Sequence, residues 1–273
     1  MSVMKDISRQ DPAGLPDVAM DEDARGIALQ AVGIRGLRFP ARLLNNTGNE
    51  QSVVMTADLS IGLHADRRGA HMSRLVEDLY DWGAMPRRPA DALGLLQTAA
   101  DRQECDEAQA ILRFDWFLAQ PAPVTGAFAV LDIEVEWHGQ LSIDGAAYTT
   151  VLTLPAMTLC PCSKAISDFG AHNQRAYLRL ELESRSGEPL LPDDYLPLVN
   201  AASSMPVFPV LKRPDERAVT EGSYENPRFV EDVVRELALA LRERPELAYF
   251  KIDCESVESI HNHNAFATYE ESR

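Results

Sequence analysis

Apolar and polar residues alternate through two stretches, residues 34–45 and 51–63, as in strands with one buried face; Val53, Met55, Ala57 and Leu59 mark that face in the second. The period then changes. Met72, Leu75, Val76 and Leu79 fall at relative positions 0, 3, 4 and 7 and predict an amphipathic helix. Residues 91–102 predict a second helix, with Pro86 and Pro89 marking the break between the two. Strands follow at 110–118 and 128–137. The hairpin signal Ile143-Asp144-Gly145 then leads into another at 147–154. The outline of this half is ββααββ.

The second half echoes that order. Residues 177–183 alternate apolar and charged positions and predict a strand. Asn226-Pro227 predicts a helix start, with asparagine as N-cap, proline at the first helical position and the acidic Glu231 and Asp232 close behind. The stripe of this helix is Val230, Val233, Val234, Leu237 and Leu241, and Pro245 lies just past its end. A last strand is expected over 248–260. The pattern describes an α+β protein of two ββαα-type modules, its antiparallel sheet covered by helices on one face. Residues 1–25 lack periodicity and are expected to be a mobile tail. The first module is expected over 26–155 and the second, with most of the candidate site residues, over 156–273.

Composition narrows the function. The 273 residues are 45% hydrophobic and 25% charged, ordinary for a globular chain, and suffice for one large domain or two moderate ones. A net charge of −16 argues against sequence-independent nucleic-acid binding, which needs a basic face. A phosphorylated small molecule can still bind where the cations concentrate. There is no run of eighteen apolar residues and no apolar core near the N-terminus, so neither a membrane helix nor a secretory signal is expected, and a cytoplasmic location is. Four cysteines are too few for a disulfide scaffold and point instead to metal binding or catalysis.

Cys160-Pro161-Cys162, with His172 ten residues beyond, groups the ligand types preferred by zinc and other borderline divalent metals. One cysteine and His172 would hold a metal while the other cysteine orients or transfers protons, and Lys164 would help keep a thiol ionised. The competing reading is two inert buried cysteines beside a loop histidine. A closed structural zinc site needs a second ligand pair, whereas Cys105 and Cys254 stand alone. In Glu258-Ser259-Ile260-His261-Asn262-His263, a strand would put His261 and His263 on one face, suited to proton transfer, with Glu258 on the other unless a turn intervenes. A solvated polar segment is the alternative. In the run 209–216, Glu216 could supply an oxygen ligand, and Lys212 and Arg213 could meet phosphates; it could equally be a charged loop. Arg74, near His71, carries the same ambiguity.

In the motifs LCPCSKAIS and GAHNQR, LKRPDE, VTE and YENPRFVED, and ESIHNHNA, the chain resembles the prokaryotic GTP cyclohydrolases of type IB. DARGIALQAVGIRGL and GAHMSR extend the likeness towards the N-terminus, in the family's order and over nearly all of the chain after the first 25 residues. The resemblance implies a bimodular tunnelling fold, and a homotetramer with active sites between subunits. It implies hydrolysis of GTP to formate and 7,8-dihydroneopterin triphosphate, with a divalent metal (zinc, manganese or ferrous iron) and no organic cofactor. It assigns Cys160, His172 and Glu216 to the metal, and Cys162, His261, His263 and Glu258 to catalysis. Glu231 would anchor the purine edge, unless it is only an acid at a helix start. Lys212, Arg213 and Arg74 would meet the triphosphate. The chemistry agrees: purine C8 is a poor electrophile, a metal lowers the pKa of water to supply a nucleophile, and the departing ring nitrogen needs a proton donor. The competing functions are a sister cyclohydrolase with a cyclic phosphate product, a non-catalytic metal-binding protein, and a tunnelling-fold reductase using NADPH, for which no Gly-rich dinucleotide turn is found.

Overall fold

The computed structural model describes residues 17–273. Nine strands form one sheet: β1 (Leu29–Leu44), β2 (Glu50–Leu63), β3 (Pro86–Arg87), β4 (Ala108–Ala119), β5 (Val130–Ser142), β6 (Gly145–Leu159), β7 (Asn173–Ser184), β8 (Leu247–Ser256) and β9 (Ala265–Ser272). The helices are α1 (Met72–Gly83), α2 (Asp91–Gln103), α3 (Pro161–Ile166), α4 (Leu196–Ala202), α5 (Arg213–Glu225) and α6 (Val230–Arg242). The strand order is β3-β1-β2-β4-β5-β6-β7-β8-β9, antiparallel throughout except for the short parallel pair β1–β3. Two halves repeat one plan. Four long antiparallel strands carry helices between the second and the third, as β1-β2-β4-β5 and again as β6-β7-β8-β9, and the second half adds the short α3 between its first two strands.

Register carries the buried face from strand to strand. Phe39 stands opposite Met55, Leu59 opposite Ala110, and Leu112 opposite Trp137. Val135 stands opposite Leu152, Leu152 opposite Leu180, and Leu180 opposite Ile252, and all of these are buried. Because side chains alternate with period two, the other face takes the polar partners, such as Arg113 opposite Glu136 and Arg179 opposite Asp253. The helices close the buried face: α1 packs on β1, and α2 lies over β4, β5 and β6. The α6 stripe Val230, Val233, Val234, Leu237 and Leu241 is buried against β8, β9 and α4. Leu237 is fully buried, so Leu237→Ala is expected to cost about 2–5 kcal/mol of stability, read as a lower midpoint in urea unfolding. An unchanged midpoint would mean that α6 is not packed as described.

Several expectations are revised. The first sixteen positions of the tail expected over 1–25 lie outside the described residues; residues 18–20 form a short 3-10 turn, and Glu22 bridges to Arg67. The module boundary expected at 155/156 falls inside β6, and the repeat divides at the β5–β6 hairpin instead. Asn226 does not open α6. Its amide donates to the carbonyls of Ser203 and Ser204, at 3.0 and 3.2 Å, and its backbone closes α5. Phe229 is the α6 N-cap, with its N–H donated to Asp232 Oδ2 at 3.0 Å. The strand expected over 248–260 ends at Ser256, where the chain turns through a polar segment and returns as β9. No helix among the described residues is long and apolar enough to cross a membrane.

Candidate active site

Four backbone contacts assemble the site at one end of β6. Cys160 N–H donates to the His172 carbonyl at 3.1 Å, closing the excursion through α3 and returning His172 beside Cys160. Arg228 N–H donates to the Leu159 carbonyl at 3.0 Å, which pins the entrance of α6 to the end of β6. Leu159 N–H donates to Ser204 Oγ at 3.1 Å. Val257 N–H donates to the Arg175 carbonyl at 2.8 Å, so the turn after β8 begins against β7.

The result is a cavity of about 470 Å³ lined by Cys160, His172, Glu231, Glu258, His261 and His263. Thr158, Gln174, Arg228, Phe229, Ser256 and Phe266 also contribute to its wall. His172 and Glu258 are nearly enclosed, their side chains 15% and 11% exposed, with His172 Nδ1 and Glu258 Oε2 3.9 Å apart. His261 and His263 are not on a strand. They lie on the turn between β8 and β9 with their rings stacked, centroids 5.1 Å apart. That turn also removes the expected opposition of Glu258, which lines the same cavity as both histidines. Cys160 is the N-cap of α3, and its Sγ accepts the Ser163 N–H at 3.4 Å.

The structure thus brings together Cys160, His172, Glu231, Glu258, His261 and His263. It does not bring the other candidates to them. Cys162 is exposed on α3 and does not line the cavity. Glu216 is exposed on the first turn of α5, and Lys212 and Arg213 are exposed at its start. Arg74 is on α1, where its guanidinium donates to the Arg102 carbonyl at 2.9 Å. Lys164 turns away to α5: its ammonium donates to the Tyr224 carbonyl and lies 4.4 Å from the centre of the Tyr224 ring. Cys254 is inert by environment, since burial pushes its thiol up to about 12. Glu231 is free for function because Asp232, not Glu231, accepts the cap N–H of α6.

As to metal, the soft thiol of Cys160 and the imidazole of His172 suit a borderline divalent cation. Among the described residues of one chain, however, no group of three or more His, Cys, Asp and Glu side chains is placed to hold one. Sequence reasoning missed Gln174, Thr158, Ser256 and Arg228 as wall residues. Gln174 had a legible signal, since it stands two residues beyond His172, the spacing that puts side chains on one side of an extended chain.

Asp215 fixes the start of α5. Its buried carboxylate accepts N–H bonds from Val124, Thr125 and Lys212 and the Thr125 hydroxyl, at 2.7–2.9 Å. Burial alone would raise this carboxyl; the four donors outweigh it and hold it well below the ordinary value of 3.8. The pKa is depressed on folding, so the stabilisation is present above the unfolded value and lost as pH falls towards the folded one. Between about pH 5 and 2, the melting temperature of the parent should therefore fall more steeply than that of Asp215→Asn. Parallel curves would contradict the assignment.

A nine-stranded sheet built from two ββαα-containing halves, with this cavity at the end of its strands, defines a tunnelling-fold protein. Among solved structures, a hyper-thermostable AgUricase mutant shares the fold at a TM-score of 0.52 and 9% identity, over 90% of this chain and 92% of that one. The family model described as "Type I GTP cyclohydrolase folE2" matches residues 15–267. GTP cyclohydrolase FolE2 1 of Dechloromonas aromatica is 42% identical over 257 residues, 93% of this chain and 94% of that protein. GTP cyclohydrolase FolE2 of Fervidobacterium nodosum is 38% identical over 255 residues, 93% of this chain and 96% of its own length. The chain belongs to the type I GTP cyclohydrolase FolE2 family.

Proposed function

We propose that this chain hydrolyses GTP to formate and 7,8-dihydroneopterin triphosphate, the first step of folate-type pterin biosynthesis. One observation carries the reading: residues from three separate sequence segments, Cys160 with His172, Glu231, and Glu258 with His261 and His263, line one cavity. Cys160 and His172 would hold a divalent metal, which when bound lowers the pKa of water and so makes a nucleophile available near neutral pH. Glu231 accepts hydrogen bonds from the guanine N1–H and 2-amino group, orienting C8 towards the histidines. His261 and His263 carry protons to the departing ring nitrogen, and Glu258 takes up the balancing proton. Arg228 is the arginine on the cavity wall, held by Asn226 and Glu236, and faces the phosphates.

A homotetramer completes the reading. Ile166, Phe169, Ile260 and Phe266 stand exposed on and beside the segments that build the cavity, which supports their being covered by a second subunit. In such an assembly Glu216, Lys212 and Arg213 would reach a site from a neighbouring copy. Sedimentation should then show four chains per particle; a monomer would remove this part of the proposal. A substrate drawn from the nucleotide pool supports a cytoplasmic location.

The test is incubation of purified protein with GTP after chelation, and again after adding zinc, manganese or ferrous iron. Formate and oxidised, dephosphorylated neopterin are then assayed. Metal-dependent appearance of both supports the reading. Formate with a cyclic phosphate product would move the chain to the sister reaction, and neither product under any metal would refute catalysis.

A further inference from the structure

We propose that Gln174 is a positioning residue that sets which nitrogen of His172 is free to bind a ligand, and that it holds the Glu258 carboxylate at the same time. The inference rests on the metal-dependent reading of the cavity and adds to it a residue with no acid, base or soft donor of its own.

Three hydrogen bonds engage both ends of the Gln174 amide. Its Oε1 lies 2.9 Å from His172 Nδ1, and its Nε2 donates to Glu258 Oε1 and to Thr158 Oγ1, each at 3.2 Å. A carboxylate oxygen only accepts, so the side of the amide facing Glu258 must be the NH2. The opposite orientation would set the amide carbonyl against the carboxylate, acceptor against acceptor. The oxygen therefore faces His172, and an oxygen can only accept. The proton is on Nδ1, and the lone pair of the neutral ring is on Nε2.

Glu258 cannot do this itself, because its nearer oxygen is 3.9 Å from Nδ1, beyond hydrogen-bond reach. Gln174 stands between the two and joins them. Its own position is fixed from below, where Thr158 Oγ1 lies 3.1 Å from Ser256 Oγ and both residues are buried. The network links a candidate metal ligand to a candidate proton carrier through one neutral amide. Partners of this kind orient ligating imidazoles and raise their affinity, and their loss typically costs about 10–100-fold in metal binding.

The test uses the full chain, with Gln174→Met to remove both hydrogen-bonding functions and Gln174→Glu to keep only the acceptor for Nδ1. Long-range proton–nitrogen spectra of metal-free, histidine-labelled protein read the tautomer directly, with the His172 signal assigned by its absence from His172→Gln. The parent is expected in the Nδ1–H form, and Gln174→Met is expected to lose it. Zinc affinity by chelator competition should fall about 10–100-fold in Gln174→Met and stay within a few-fold of the parent in Gln174→Glu. In Gln174→Glu, the like charge now facing Glu258 should lower kcat with KM little changed. An Nε2–H tautomer in the parent overturns the proposal whether or not either variant folds. So does a Gln174→Met protein that binds zinc as tightly as the parent. The expected tautomers in a parent that never turns over GTP would refute the cyclohydrolase reading while leaving the role of Gln174 standing.

Discussion

In the Cys160→Ala protein, affinity for divalent metal is expected to fall at least ~100-fold and GTP turnover with it. Loss of an outer partner of a metal ligand already costs up to about that much, and Cys160 is assigned to the ion itself. Its position supports the assignment: Cys160 lines the cavity, half-buried, with its backbone tied to the residue that supplies the candidate imidazole. The substitution also removes the cap on Ser163 N–H, so Cys160→Ser is the necessary companion. Its hydroxyl can still cap α3 but replaces the soft donor with a hard, protonated one. Both variants should lose metal by elemental analysis and keep parental circular dichroism. Parental metal content and turnover in Cys160→Ala would remove the thiol from the site.

Glu231→Gln is expected to weaken GTP about 10–100-fold while metal content is unchanged. A hydrogen bond to a charged acceptor is worth about 1.5–3 kcal/mol, and the amide replaces one of two carboxylate acceptors with a donor that faces donors on guanine. The helix start is not the explanation for Glu231, because Asp232 accepts the Phe229 N–H there. The loss should appear in KM and in equilibrium binding of GTP, and should be smaller for inosine triphosphate, which lacks the 2-amino group. Equal loss for both nucleotides would point to damage to α6, and no loss would remove the anchor.

What the chain order could reveal was what local periodicity encodes. The stripe of α6 and the alternation in β2 and β7 are repeated choices over many residues, and they lie where expected; of the α1 stripe, Leu75 and Leu79 are buried and Val76 is half-buried, while Met72 at the helix start is exposed. Helix α5 was hidden because little of it is buried: Asp215, Val219 and Ser223 face inward, and only one of those is apolar. Strand β9 was hidden because it is an edge strand without a fully buried face. Asn226 misled because its side chain donates to distant carbonyls, a tertiary contact that no neighbouring residue announces.

The site divides in the same way. Cys160 and His172 are visible as rare donor types at short spacing, and a single backbone hydrogen bond makes them neighbours. Cys162 shared that visibility, but α3 turns it outward. Glu231 could be suspected from its motif, yet its meeting with Glu258 and the histidines depends on the pairing of Arg228 with the end of β6. Glu216 shows the limit: its charge is plain in the chain, and its distance from the cavity follows only from the anchoring of α5 by Asp215.

The most direct measurement follows carbon 8 of GTP. With 13C at that position and the competent metal present, the signal should leave the purine and appear as formate, one for each dihydroneopterin triphosphate formed. Both should be lost together in Cys160→Ala. A label that stays in the purine ring under every metal, or turnover that survives in Cys160→Ala, would contradict the assignment of this cavity as the cyclohydrolase site.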